Sequence, residues 1–270
     1  MTKQTASAVQ FSANTAENYE KYFVPAIAAP IAEDFMKAAS IQRGERVLDV
    51  ACGTGVVTRL AAERAGSLGQ VAGLDVNPAM LAVARSLTQA ETPIDWYETS
   101  ADAMPLADGG FDVVLCQMGL QFMSNKQQAL AEMRRVVRPG GRVVLNVPGP
   151  TPAFLSDFAQ ALARHIDPRA ARFVDVVFSL HDDEELRSLM SAAGFKDVKI
   201  AKIKKTLRLP PPQEFVWQYA HSTPLRELVS PASDAQRAAL ADEVAQRWQG
   251  AVADGVLTLD VGMTTVTAQA

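Results

Sequence analysis

From residue 46 onward, short continuously apolar runs alternate with stretches whose apolar residues follow helical spacing. The runs RVLDV (46–50), QVAGLDV (70–76), IDWYE (94–98), FDVVLC (111–116) and RVVLNV (142–147) read as strands. Most carry no polar alternation and hence no solvent face, which predicts a parallel sheet covered by helices on both sides. Within 124–138, Ala129, Leu130, Met133, Val136 and Val137 recur at helical intervals, and Pro139-Gly140-Gly141 then stops the helix and turns the chain.

After residue 147 the pattern changes. A helix is predicted over 153–166, and a second one starts at the Asp182-x-x-Glu185 capping box and ends at Gly194. The strand FKDVKIAKIKK follows, and Pro210-Pro211-Pro212 breaks the chain before two more helical segments. The clearer of these, 233–249, opens with Ser233-x-x-Gln236, aligns Leu240, Val244 and Trp248, and precedes Gly250. The β-branched tail VLTLDVGMTTVTAQA is expected to pair with the 195–205 strand. These patterns divide the chain into an N-terminal helical segment (1–45) covering the site, a core (46–206), a helical lid (207–254) and a final core strand (255–270).

Composition bounds the partners. With 270 residues, 48% hydrophobic, the chain can bury the core of one large domain. It has no run approaching the roughly 18 apolar residues of a membrane span and no apolar stretch of a secretory signal near its start, so a cytoplasmic location is expected and no membrane partner. A net charge of −4 offers no field for a polyanion, so no nucleic-acid partner is expected. The basic run 196–205 reads as lysines guarding a sheet edge. Histidines 165, 181 and 221 show no ligand spacing, so no metal is expected, and a monomer or homodimer is anticipated.

The chemistry concentrates in VLDVACGTG (47–55), where a strand runs into Gly53-x-Gly55 ahead of a helix, a turn that lets a ligand approach the backbone. A dinucleotide fingerprint needs a third glycine at the position held by Thr58, so a pyrophosphate is poorly served. Asp49, four residues before Gly53, instead gives the strand tip a preference for a cation.

Here the chain resembles the class I S-adenosylmethionine-dependent methyltransferases, with D-V-A-C-G-T-G as the first motif and Ala51 in its first glycine slot. LDVNPAML (74–81), SADAMPLADGGFDVVLC (100–116) and ALAEMRRVVRPGGRVVL (129–145) match the later motifs in order. Within the class it is most similar to the small-molecule branch holding the quinone-biosynthetic C-methyltransferases. The resemblance implies a Rossmann-like, doubly wound, seven-stranded sheet, mostly parallel with an antiparallel final strand, and S-adenosylmethionine as cofactor.

It also implies roles. Ala51, Gly53 and Gly55 would pass beside the methionine part, with Asp49 helping to hold its ammonium. Asp75 would accept from the ribose hydroxyls, Val76 and Met80 would pack near the adenine, and Asp102 with Ala103 would meet its amine. Bland alternatives stand beside these: Asp75 as a helix cap, Met80 as core, Asp102 as an exposed turn residue. Cys52 reads as a structural turn residue rather than a nucleophile.

For the acceptor, three roof segments are available: Phe11, Tyr19, Tyr22 and Phe23; Gln117, Met118, Gln121 and Phe122; and Phe215, Trp217, Tyr219 and His221. They suggest a small apolar or aromatic acceptor, although a lid must also bury its own core. Tyr19, Tyr22, Met118, Phe122 and Trp217 are the expected substrate-side residues, Gln117 a polar contact to cofactor or substrate. His221 is the candidate base, with lid packing as its alternative. The competing functions are an RNA or protein methyltransferase, an NAD-dependent oxidoreductase and a non-catalytic scaffold.

Overall fold

The computed structural model describes residues 12–88 and 93–270, so Phe11 lies outside the described residues. The described chain begins with α1 (Ala13–Asn18), a π-helical stretch (Tyr19–Ala28) and α2 (Ala29–Ala39). Pro25, which has no N–H to return to the preceding turn, sits inside the π-helical stretch. Five parallel strands follow: β1 (Arg46–Val50), β2 (Gln70–Asp75), β3 (Ile94–Glu98), β4 (Phe111–Gln117) and β5 (Val137–Pro148). The helices α3 (Val56–Ala65), α4 (Pro78–Ser86) and α5 (Lys126–Val136) connect them.

The sequence periodicity explains the layering. Val47, Val113, Leu115 and Val144 face one side, against Phe35, Met36, Val57 and Ala61 of α2 and α3. Their neighbours Leu48, Val114, Cys116 and Leu145 face the other, against Leu130 and Met133 of α5. Strands apolar on both faces therefore end up with helices on both faces.

Beyond β5 come α6 (Ala153–His165), α7 (Arg169–Val177), α8 (Asp183–Ala192), β6 (Lys196–Leu209), α9 (Pro212–His221), α10 (Arg226–Val229), α11 (Asp234–Trp248), β7 (Val252–Ala253) and β8 (Val256–Gln269). The sheet order is β3-β2-β1-β4-β5-β8-β6, with β8 antiparallel to both neighbours and the short β7 folded back on it. The doubly wound sheet with an antiparallel last strand is as expected, and the pairing of β8 with β6 also holds. The positive φ of Asp254 and Gly255 makes the β7–β8 turn.

Several boundaries differ from expectation. The helix over 124–138 ends at Val136, because Val137 already pairs with Phe111 as β5 begins; the ladder absorbs Pro139-Gly140-Gly141 by a register shift between Phe111 and Val113. Asp182 caps α8 through the Glu185 N–H at 2.8 Å. Helix α7 had no counterpart in the sequence reading.

A third apolar cluster joins α6, α7, α9 and α11 to the far halves of β6 and β8. It contains Phe158, Val174, Phe215, Tyr219, Leu240, Trp248, Leu207 and Leu259. At the end of the sheet, β6 pairs its lysines with acids: Lys202 with Asp183, Lys204 with Asp260 and Lys205 with Asp34. That is what an edge strand protected by charge looks like. No described helix is long and apolar enough to cross a membrane.

Candidate active site

The sheet order reverses between β1 and β4, which opens a crevice beyond the carboxyl ends of the strands. The turn after β1 enters that crevice with three residues in the left-handed region, Ala51 (φ 58°), Gly53 (φ 56°) and Gly55 (φ 84°). Asp75, at the tip of β2, fastens this turn: one carboxylate oxygen accepts the Gly53 N–H at 2.8 Å, the other the Asn77 N–H at 2.9 Å. Capping of α4 belongs to Asn77, whose side-chain oxygen accepts from the N–H groups of Ala79 and Met80. Asp75 is thereby released from the capping role, and the Val76 N–H adds a third backbone donor to its carboxylate. Burial raises its pKa against the pull of the backbone donors.

Thr58, the residue that replaces the third glycine, has a job of its own. Its hydroxyl donates to Asp49 at 2.6 Å. Asp49 is only 1% exposed, and burial pushes its carboxyl up to about 7 despite that bond.

A cavity of about 280 Å³ occupies the crevice. On one side it is lined by Ala51, Gly53, Asp75, Val76, Asn77 and Met80, together with Thr99, Ser100, Ala101 and Asp102 after β3. On the other it is lined by Tyr19, Phe23, Gln117, Met118, Gln121 and Phe122, together with Phe173, Val177, Tyr219 and Thr223. Tyr19 stacks on Phe23 (4.7 Å between centroids), Phe23 leans on Tyr219 (6.0 Å), and Phe122 stacks on Phe173 (6.5 Å). The N-terminal segment is held over the turn by Arg59, which bonds Glu20 at 3.1 Å and the Thr54 carbonyl at 2.6 Å.

Six expected residues are not on this cavity. Asp49 is sealed beneath the turn with Thr58. Gly55 faces away, where a Cβ would come within 2.6 Å of Trp96, so its need for glycine is set by packing. Ala103 is exposed, its N–H bonded to the Ser100 carbonyl. Tyr22 lies outside the Tyr19–Phe23 stack, its ring 4.9 Å from the Lys21 ammonium.

Trp217 and His221 pair with each other at 6.1 Å. Phe215 and Tyr219 occupy the inward stripe of α9, and positions two residues on point away from it. His221, expected as the catalytic base, is not among the residues that line the cavity, and burial with Arg226 and Arg237 lowers its pKa. Burial also holds the thiols of Cys52 and Cys116 protonated, the latter pushed up to about 12.

The sequence reading missed Asn77, Thr99, Ser100, Phe173, Val177 and Thr223 on the cavity wall. Asn77 had a legible signal, Asn before Pro at a helix start. Phe173 and Val177 had none without α7.

The donor and acceptor set can be compared with what a nucleoside amino acid requires. Asp75 puts a carboxylate on the cavity wall, the kind of acceptor that suits a diol. The Gln117 side-chain N–H₂ is spent on the Ala28 carbonyl at 3.2 Å, which leaves its buried oxygen as an acceptor without a partner among the described residues. A cationic N–H suits such an oxygen. These residues fit a cofactor with a ribose and an ammonium.

Comparison with known proteins agrees. A family model described as a methyltransferase domain matches residues 48–145. The chain is similar to the ubiquinone/menaquinone biosynthesis C-methyltransferase UbiE of Serratia proteamaculans, 34% identical over 175 residues that make up 59% of this chain and 70% of that protein. The same enzyme of Pectobacterium atrosepticum is 34% identical over 178 residues, 60% of this chain and 71% of that one.

Among solved structures, Haemonchus contortus phosphoethanolamine N-methyltransferase 2 in complex with S-adenosyl-L-methionine shares the fold. Its TM-score is 0.61 at 18% identity, over 100% of this chain and 61% of that one. The YcgJ protein of Bacillus subtilis does so with a TM-score of 0.57 at 20% identity, over 88% and 97%. The chain belongs to the class I S-adenosylmethionine-dependent methyltransferases, and it is an enzyme of that family using S-adenosylmethionine as its cofactor.

Proposed function

We propose that the enzyme methylates a small, flat, apolar or aromatic acceptor, at carbon. The observation that carries this reading is the shared cavity, in which the polar wall of Asp75 and Asn77 faces an aromatic and thioether wall of Tyr19, Phe23, Met118, Phe122, Phe173 and Tyr219. Bound S-adenosylmethionine supplies a methyl group on positively charged sulfur, the electrophile of an in-line displacement.

The chain's own residues would then divide the work. Asp75 would hold the ribose hydroxyls, Gln117 the ammonium, and Val76 and Met80 the adenine, with Asp102 accepting from its amine. The N-terminal segment from residue 12 to 45 and the lid (207–254) would close over the acceptor and exclude water, which leaves positioning as the main catalytic contribution.

The acid-base groups favour carbon. Burial holds the hydroxyls of Tyr19 and Tyr219 well above their ordinary pKa, so neither is a base at neutral pH. An electron-rich ring carbon attacks the methyl group with its own π electrons, and the ring gives up its proton to water, recovering aromaticity, once the site reopens. A neutral alcohol would need its proton removed as it attacked. The likeness to the C-methyltransferases UbiE supports the same choice.

The test is incubation with methyl-¹³C-labelled S-adenosylmethionine and a metabolite extract, followed by carbon NMR of the fractionated products. A labelled methyl at the shift of an aryl or vinyl C–CH₃ is the expected result. Label in an O-, N- or S-methyl group, or in protein or RNA, would overturn the reading.

A further inference from the structure

The acceptor wall contains a buried amide that the proposed function leaves unused. Gln121 is 3% exposed, stands between Leu120 and Phe122 in the short 3₁₀ turn after β4, and lines the cavity. Its orientation is settled by its neighbour: the side-chain nitrogen is 3.0 Å from the Met118 carbonyl, which can only accept. The side-chain oxygen therefore points away from that carbonyl, and it has no partner among the described residues.

The backbone beneath it is also unusual. Met118 holds φ at 50°, a left-handed conformation that costs a non-glycine residue energy, and its N–H is tied to Asn146 through both the side chain and the carbonyl. The turn that carries the side chain is thus fixed from below.

A buried acceptor left bare costs free energy, and Phe122, Phe173 and Val177 of the same cavity wall carry no side-chain donor. A leucine or methionine would fill the same space without that cost. A glutamine here makes sense where the ligand brings a hydrogen to it.

We propose that Gln121 is a specificity-determining residue, whose oxygen accepts a hydrogen bond from a hydroxyl or amino group on the methyl acceptor. The enzyme then selects acceptors that carry a free O–H or N–H on an apolar frame, and rejects the corresponding methyl ethers and ketones. The inference rests on the small-acceptor reading above and deepens it.

The test uses matched probes with the protein saturated with S-adenosylhomocysteine. One pair is 1-naphthol and 1-methoxynaphthalene, the other 1-octanol and methyl octyl ether. Binding is followed by calorimetry or ligand-observed NMR.

The free hydroxyl should bind more tightly than its ether by between about 5- and 150-fold, the range expected for leaving one buried acceptor bare. In Gln121→Leu that ratio should fall toward one, while affinity for S-adenosylhomocysteine stays the same. Discrimination by the octanol pair alone would support the donor rule and overturn the aromatic part of the acceptor reading.

Equal binding within both pairs by the wild-type protein would overturn the inference and mean that water satisfies the oxygen. Loss of S-adenosylhomocysteine affinity in Gln121→Leu, with the hydroxyl preference intact, would overturn it in favour of a cofactor contact. The wild-type comparison needs no variant, so a poorly folded Gln121→Leu leaves the test standing.

Discussion

Asp49 places an ionisable group in the buried interior of the sheet, 1% exposed. It lies within β1 between Gly73 of β2 and Leu115 of β4, and its carboxylate accepts from the Thr58 hydroxyl. Burial moves its pKa from 3.8 to about 7. Below pH of about 4 both folded and unfolded chains hold the proton, so the wild type suffers no penalty there. Between that pH and 7 the unfolded chain releases its proton while the folded one keeps it, so this group's contribution to stability is lost as pH rises and levels off above 7. At 1.36 kcal/mol for each pH step, the interval from 3.8 to about 7 corresponds to about 4 kcal/mol.

Asp49→Asn removes the titration and keeps an oxygen for the Thr58 hydroxyl. The extra N–H₂ brings a cost that does not depend on pH, so the informative quantity is the difference between the two proteins across a pH series. Urea unfolding of the cofactor-free proteins should show the stability of Asp49→Asn rising relative to wild type by about 4 kcal/mol from pH 4 to pH 8. Most of that change should fall between 4 and 7. Curves that stay parallel would refute the reasoning and mean that Asp49 is ionised, or hydrated, in the folded protein.

Three further outcomes are expected. Asp75→Ala should weaken S-adenosylhomocysteine binding by about 1.5 to 3 kcal/mol in calorimetry; unchanged affinity would leave Asp75 only its structural bonds to Gly53 and Asn77. Gly55→Ala should destabilise by about 2 to 4 kcal/mol in urea unfolding, because φ is 84° and the new Cβ would meet Trp96 at 2.6 Å; adding Trp96→Leu should recover part of the loss. Cys52, buried and with its pKa raised, should resist iodoacetamide in the native protein at pH 8, and rapid alkylation would show an open, reactive thiol.

The sheet was legible in the sequence because each strand's environment is written in its own residues. VVLC in β4 is apolar at every position, so it could only lie between two helical layers. The helix α7 was not legible, since Arg169–Val177 is short and mixes Arg172 and Asp175 with its apolar positions, and its fold depends on packing Val174 against the lid cluster. The end of α5 was misplaced for a related reason: Val136 and Val137 look alike in a helical pattern, and only the ladder with Phe111 decides that the second belongs to β5.

The same division runs through the site. Asp75 and Gly53 are read from a short stretch of chain because the strand tip and the turn that carry them are local and bonded to each other, and Asn77, bonded to the same carboxylate, was legible only as a helix start. The acceptor wall is assembled from Tyr19, Phe122, Phe173 and Tyr219, four residues on four separate elements, and no local pattern distinguishes an aromatic side chain facing a cavity from one facing a core. Phe215 and Tyr219 share the inward stripe of α9, yet only Tyr219 reaches the cavity, while Trp217 and His221 on the same helix do not. On the proposal made here, what marks the acceptor side physically is the Gln121 oxygen, which has no partner among the described residues and so would place a demand on the ligand. A sequence can show the glutamine, but only the bond from its nitrogen to the Met118 carbonyl shows which atom is left to make that demand.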